Sequence, residues 1–400
     1  MQGDKMKTTY INKQLLGSII VILLLLMVQV AYTEEEDNDL FDALSELYPD
    51  GTVKKEVVPQ KPVAEKPKKQ KKKSLDKELD KIYSDTKKNP PPKPKAPIKK
   101  SKQHKKFYNV NGELYIGYNY FINSREFSEM MKYIKKYSKE AGVSWTRAEV
   151  KALFKPEYAR KIYRDKMMNV INPAQPKRRT KKIKKIYNIL MSKKRQREAA
   201  TVAKNYHREL KQAYRRWNVT PEDILALLNI ESEFGKYRGD YEAFRIFLSE
   251  ATFVAGAEKY VYKNGAYRNP DAMSRKRNLK RVKKITNRGK KNMGALIAYS
   301  KKLNIDPRVV MGSFSGAIGI CQFLPYNLHY GDDGNSDGKV DLNNMTDAIF
   351  STAKFLDKNG YSNNRERSFY RYNSNREYVR SVKDFAKLMK KRHRKLLGYY

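Results

Sequence analysis

Residues 53–106 hold 20 Lys, no Arg and 8 of the chain's 16 Pro. Such a stretch has almost nothing to bury. Its like charges repel, and Pro90-Pro91-Pro92 and Lys93-Pro94-Lys95 favour extended polyproline conformations. The 400-residue chain therefore does not fold throughout. On the N-terminal side, residues 34–50 are acidic and carry Leu40, Phe41, Leu44 and Leu47 at helical spacing. That pattern suits either a short docking helix or more disorder. We read 34–106 as one disordered tether, acidic and then Lys/Pro-rich. This leaves 107–400 as the folded domain.

Lys5, Lys7 and Lys13 precede an apolar run from Leu15 to Ala31. Ala31 and Thr33 make a small-x-small pattern just before Glu34, the layout of a secretory signal peptide over residues 1–33. The run is also nearly long enough to span a bilayer, so a retained N-terminal membrane anchor over 15–31 is the alternative. Either way the remainder is expected to be exported. The net charge is +42, from 85 Lys+Arg against 43 Asp+Glu. An anionic polymer or surface is the obvious partner, although a Lys-rich linker is often simply solvated. Export argues against a specific nucleic-acid partner. The single Cys, Cys321, excludes an intramolecular disulfide and a Cys-based zinc cluster, and four His leave little for a His-based one.

From residue 107 a helical period appears. Phe127, Met130, Met131 and Ile134 recur at three to four residues, and Thr146-Arg-Ala-Glu149 is a capping-box pattern ahead of Val150, Leu153 and Phe154. Few alternating strands are visible, and no Rossmann or P-loop glycine pattern. The basic stretches 177–185 and 275–284 read as exposed helices or loops. Thr220-Pro221-Glu222-Asp223 starts a helix, with Thr as cap, Pro in the first turn and acids at the positive end. Ile224, Leu227 and Leu228 form its apolar stripe, and Glu231 falls on that stripe. Glu233 is rotated away, with Glu222 and Asn229, onto a polar face. A carboxyl on a core-facing stripe should titrate high. The plainer alternative is a Glu that caps the helix end or pairs with an Arg.

Further on, a Gly-rich loop (Gly312, Gly316, Gly319) runs into Gln322-Phe323-Leu324-Pro325. Asp333, Asn335, Asp337, Gly338 and Val340 follow at positions 1, 3, 5, 6 and 8 of an EF-hand loop. Oxygen ligands at alternate positions wrap a hard cation, and Lys339 can offer its carbonyl. Position 12 departs, with Asn344 in place of the bidentate Glu. A polar Asp/Gly turn with no ion is the alternative.

Taken in order, Ile230-Glu231-Ser232-Glu233-Phe234-Gly235, the Gly-rich loop with Gln322-Phe323-Leu324-Pro325, the Asp333–Val340 loop and Tyr370-Arg371-Tyr372-Asn373 resemble the B-type lytic murein transglycosylases. This is the membrane-bound lytic murein transglycosylase B family of the lysozyme-like superfamily. The resemblance covers roughly residues 110–395. It implies a mainly α (α+β lysozyme-like) fold: a helical catalytic domain with a small EF-hand-like calcium loop. It implies cleavage of peptidoglycan glycan strands between N-acetylmuramic acid and N-acetylglucosamine, with a 1,6-anhydro sugar as product. Glu231 would serve as acid and then base. Ser232, Ser313, Gln322, Tyr372 and Asn373 would bind substrate. Asp347 would supply the acid that Asn344 lacks, completing a structural calcium site with Asp333, Asn335, Asp337 and Lys339. No cofactor is implied for catalysis. Phe234 stands where the family usually has Trp. The implied setting is the periplasm or cell envelope, with the Lys-rich tether on an anionic wall polymer or membrane surface. The competing expectation is an inactive lysozyme-like wall-binding protein with a polybasic anchoring tail.

Overall fold

The computed structural model describes residues 106–392, apart from the side chains of 179–186 and 392. The signal peptide or anchor, and all but the last residue of the tether, lie outside the described residues. No helix among the described residues is long and apolar enough to cross a membrane.

The domain is mainly helical, with two small antiparallel sheets. It opens on a hairpin, β1 (Phe107–Val110) and β2 (Glu113–Ile116), joined by Asn111-Gly112. Both turn residues have positive φ, 50° and 81°, which is what a tight two-residue hairpin turn requires. A short β3 (Lys161–Ile162) pairs with β2. Between them lie α1 (Tyr118–Ile122), α2 (Arg125–Ala141) and α3 (Arg147–Leu153). The stripe expected on α2 buries Phe127, Met130 and Ile134, while Met131 is half-buried. The Thr146 capping box forms in full: Glu149 N–H donates to Thr146 Oγ1 at 3.2 Å, and Thr146 N–H to Glu149 Oε2 at 2.6 Å.

The chain continues through α4 (Arg164–Ile171), α5 (Gln175–Leu190), α6 (Lys193–Asn205) and α7 (His207–Trp217) to α8 (Pro221–Ser232). After it come β4 (Tyr241–Glu242), α9 (Ala243–Thr252), α10 (Val254–Lys263) and the long α11 (Arg275–Lys302). Then follow β5 (Met311–Gly312), paired with β4, and α12 (Met345–Lys358), α13 (Arg365–Tyr372) and α14 (Arg376–Arg392). α11 packs along α2 and α9, while α8 is surrounded by α6, α7, α12 and α14.

α8 corrects one expectation. Every residue from Pro221 to Ser232 is buried, Glu222 and Asn229 included. There is no solvent face, because Leu225, Ala226 and Ile230 fill the side opposite the expected stripe. A helix apolar on most sides belongs at the centre of a bundle. Its N-terminal acids are therefore held individually. Asp223 accepts from Arg365 Nε at 2.6 Å and from the Tyr361 hydroxyl. Thr220 does not cap the helix with its side chain; its Oγ1 bonds the Tyr361 hydroxyl at 3.1 Å.

Candidate active site

Glu231 sits in the last turn of α8 and is 2% exposed. The Tyr378 hydroxyl, from α14, donates to Glu231 Oε1 at 2.6 Å. Burial pushes the carboxyl up to about 8, and the Tyr378 hydrogen bond acts weakly the other way. At neutral pH the side chain is thus mostly a neutral acid, poised to donate a proton.

The chain beyond Glu231 turns sharply. Glu233, Phe234 and Gly235 all have positive φ, 54°, 56° and 82°. Two non-Gly residues in this region cost about 1–2 kcal/mol each, so neighbouring contacts must hold the turn. The Ser232 hydroxyl does so, accepting from Gly235 N–H at 2.9 Å and donating to the Ile320 carbonyl at 2.6 Å. Glu233 pairs with the buried Arg195 of α6. The Glu-Ser-x-x-Gly spacing is in this way a local device that ends α8 and ties it to the Gly-rich loop.

That loop leaves β5. Ser313 is fully buried, and its Oγ accepts from Ser315 and Ala317 N–H, each at 3.2 Å. Gly316 has φ +78°, and a Cβ there would meet the Phe247 ring at 2.4 Å. Its lack of a side chain lets the loop lie on the protein core. Gln322 is left-handed at φ 51° and 2% exposed. Its Nε2 donates to the Gly319 carbonyl at 2.8 Å, and its buried Oε1 has no partner. From α13, the Tyr372 hydroxyl donates to the Cys321 carbonyl at 2.5 Å. Asn373 is 3% exposed and leaves its Nδ2 unpartnered. Burial pushes the Cys321 thiol far up, and the nearby Glu231 carboxylate adds to that, so the thiol stays protonated. Ser232, Gln322 and Tyr372 are thereby joined through one short backbone segment, 319–322, which lies near Glu231.

Two side chains of this region have no role assigned from the sequence. Tyr378 binds Glu231 from 147 positions away, and nothing marks it among 29 Tyr except its place after Tyr372-Asn373. Lys166 of α4 places its Nζ 3.1 Å from the Tyr241 ring centre and 4.0 Å from that of Phe314, beside Ser313. Burial pushes its amine down to about 6.

The Asp-rich loop is wrapped around its own backbone. Gly338 N–H donates to Asp333 Oδ2 at 2.8 Å, Asp337 N–H to Asn335 Oδ1 at 3.1 Å, and Lys339 N–H to Asp337 Oδ1 at 2.9 Å. Asp347, buried in the first turn of α12, accepts from Gly334 and Asp341 N–H at 3.0 and 2.8 Å. Its carboxyl is raised by burial and by repulsion from Asp333, against those backbone bonds. Asn344 caps α12, accepting from Thr346 N–H at 2.8 Å, which occupies the position where an EF-hand Glu would stand. Repelling carboxylates in an oxygen-lined loop suit a hard cation. Even so, no group of three or more His, Cys, Asp or Glu able to hold an ion is gathered among the described residues.

Comparison with known proteins gives three results. No curated protein matches the chain. Among solved structures, the Escherichia coli lytic transglycosylase SLT35 in complex with calcium is 14% identical, with TM-score 0.47 over 65% of this chain and 92% of that one. Soluble lytic transglycosylase SltB1 from Pseudomonas aeruginosa is 13% identical, TM-score 0.48, over 66% and 99%. Pseudomonas aeruginosa SltB3 in complex with NAG-anhNAM-pentapeptide is 15% identical, TM-score 0.40, over 65% and 79%. The family model described as "Transglycosylase SLT domain" matches residues 126–395. That match spans well over half of the chain, and the protein accordingly belongs to the transglycosylase SLT domain family, as an enzyme of the lytic transglycosylase type.

Proposed function

We propose that this enzyme cleaves peptidoglycan glycan strands at the bond from N-acetylmuramic acid to N-acetylglucosamine, with Glu231 acting first as acid and then as base. The observation that carries the reading is the buried Glu231 carboxyl, pushed up to about 8 and held by Tyr378. Glu231 gives its proton to the glycosidic oxygen as the bond from muramic C1 breaks, and N-acetylglucosamine leaves with a 4-hydroxyl. The carboxylate so formed is desolvated and strongly basic for its type, and the Tyr378 hydroxyl keeps it oriented. It takes the proton of the muramic C6 hydroxyl as O6 closes on C1. The product is a 1,6-anhydro end, no water is consumed, and Glu231 is again protonated. One carboxyl serves both steps, where hydrolysis would require a second carboxylate and a positioned water.

In this reading Gln322 and Asn373 are the groups that meet the sugar, because one keeps a free acceptor and the other a free donor. An acetamido group supplies the complementary pair. Ser232 ties the loop to α8, Ser313 braces the loop from within and Tyr372 ties it to α13, and each hydroxyl keeps hydrogen-bonding capacity with which it would also meet the sugar. The Asp333–Asp347 loop would hold a calcium ion through Asp333, Asn335, Asp337, the Lys339 carbonyl and Asp347, giving local rigidity and no chemistry. Residues 1–33 would deliver the enzyme to the periplasm or envelope, with 34–106 as tether and 107–400 as catalytic domain. The rival reading, an inactive wall-binding module, predicts binding without product. Purified peptidoglycan separates the two: the wild type should release soluble fragments, and Glu231→Gln should reduce the rate by about 10²–10⁴-fold or more while still binding. Equal rates for both would remove Glu231 from the mechanism.

A further inference from the structure

The surface formed by α10 and the first half of α11 has no part in the site described above. α11 runs for 28 residues without a single Asp or Glu. Lys276, Lys280 and Lys283 recur at helical spacing and are exposed, as are Arg277 of α11 and Lys259 and Lys263 of α10. Among the described residues none of these six makes an ion pair. The acid of α10, Glu258, is 2% exposed and already held by Arg275 and Tyr267. Two large side chains stand in water within this basic face: Leu279 is 44% exposed and Tyr262 49%. The Arg275 guanidinium lies 3.7 Å from the Tyr262 ring centre, which joins the two helices into one surface.

Cations surrounding an exposed Leu and Tyr match the boundary of an anionic bilayer. Lysines reach the phosphate groups, while Leu and Tyr enter the layer between headgroup and acyl chain. A soluble phosphate polymer would engage the cations but leave Leu279 and Tyr262 in water. We infer that the α10–α11 face docks the folded domain on an anionic lipid surface, through Lys276, Lys280 and Lys283 with Leu279 and Tyr262 inserted. The inference depends neither on Glu231 nor on the calcium loop.

The test uses the full chain carrying Leu279→Trp, with the parent chain measured alongside to subtract the two native Trp. Vesicles are phosphatidylcholine with or without phosphatidylglycerol, prepared with brominated acyl chains. A local fluorescence readout is needed because the tether and the apolar run bring any version of the chain to vesicles. Emission of the new Trp should shift to the blue and be quenched only by vesicles containing phosphatidylglycerol, and high salt should reverse both effects. Each lysine near an anionic leaflet contributes about fivefold to docking, so combining Lys276→Glu, Lys280→Glu and Lys283→Glu should weaken docking of this face by about a hundredfold and remove most of the quenching of the new Trp. Glycan cleavage in solution should be unchanged. Absence of quenching, equal quenching by neutral vesicles, or full quenching of the triple variant would overturn the inference. So would a spectral shift with soluble polyphosphate and none with vesicles, which would assign the face to a phosphate polymer.

Discussion

Replacing Glu231 by Gln should make the protein more stable while disabling it. The carboxyl titrates at an ordinary 4.5 when unfolded and at about 8 when folded. Below pH 4.5 both states hold the proton and Glu231 contributes no penalty. Between 4.5 and 8 the unfolded chain gives up its proton first, so stability falls with rising pH by about 1.4 kcal/mol per unit. At pH 7 the accumulated loss is about 3 kcal/mol, and it levels off above pH 8. Gln does not titrate, has nearly the same shape, and its carbonyl oxygen can still accept from the Tyr378 hydroxyl. The stability advantage of Glu231→Gln should therefore be near zero at pH 4 and about 3 kcal/mol at pH 7. For a domain of this size that is about 6 °C in Tm. Thermal melts of wild type and variant across pH 4 to 9 measure the difference directly. A difference that stays flat through this window, or a variant that loses ground as pH rises, would refute the claim that burial holds this carboxyl neutral.

Four other outcomes follow from the same geometry. The cleavage rate should fall as pH rises through about 8, because the acid is then lost; a profile rising through pH 8 to 9 contradicts the assignment. Tyr378→Phe removes the one hydrogen bond that lowers the Glu231 pKa, so the alkaline limb should move up, with kcat reduced and stability lowered by about 1 kcal/mol; an unmoved pH limb would separate Tyr378 from Glu231. Gly316→Ala must place a methyl 2.4 Å from the Phe247 ring at a left-handed φ, and should destabilise by about 2–4 kcal/mol in denaturant melts. Added calcium should raise the Tm of the wild type and not of Asp337→Ala, with both retaining activity at low temperature; an unchanged wild-type melt removes calcium from the account.

The Glu231 signal was readable because its motif is local: Glu-Ser-x-x-Gly describes a helix end and a turn within five residues. Its place on the core-facing stripe was readable too, but the burial of the opposite side of α8 was not. The α8 stripe looked amphipathic because period alone cannot reveal that α6, α7, α12 and α14 close around every side. In the same way Glu233 looked like a solvent residue, yet it compensates the buried Arg195. Glu233→Gln should consequently weaken the fold even though the chemistry does not use it. Ser232 and Ser313 show another limit. Both hydroxyls are seen in the sequence beside a glycine loop, but the backbone amides and the carbonyl that they also bond are visible only in the fold. The hairpin at Asn111-Gly112 carried a recognisable turn dipeptide that a helical reading of the region passed over. Asn344 could be seen to break the EF-hand pattern, but its capping of α12 is visible only once that helix has a start.

Product mass from purified peptidoglycan tests the central claim most directly. The full-length enzyme is incubated with insoluble peptidoglycan, and the soluble fragments are examined by mass spectrometry before and after borohydride. A single carboxyl that donates and then recovers its proton from the C6 hydroxyl predicts 1,6-anhydromuramic ends, one water lighter than hydrolytic ends and inert to borohydride. Reducing muramic ends, one water heavier and converted by borohydride, would mean that water is the nucleophile and would contradict the one-carboxyl mechanism built on Glu231.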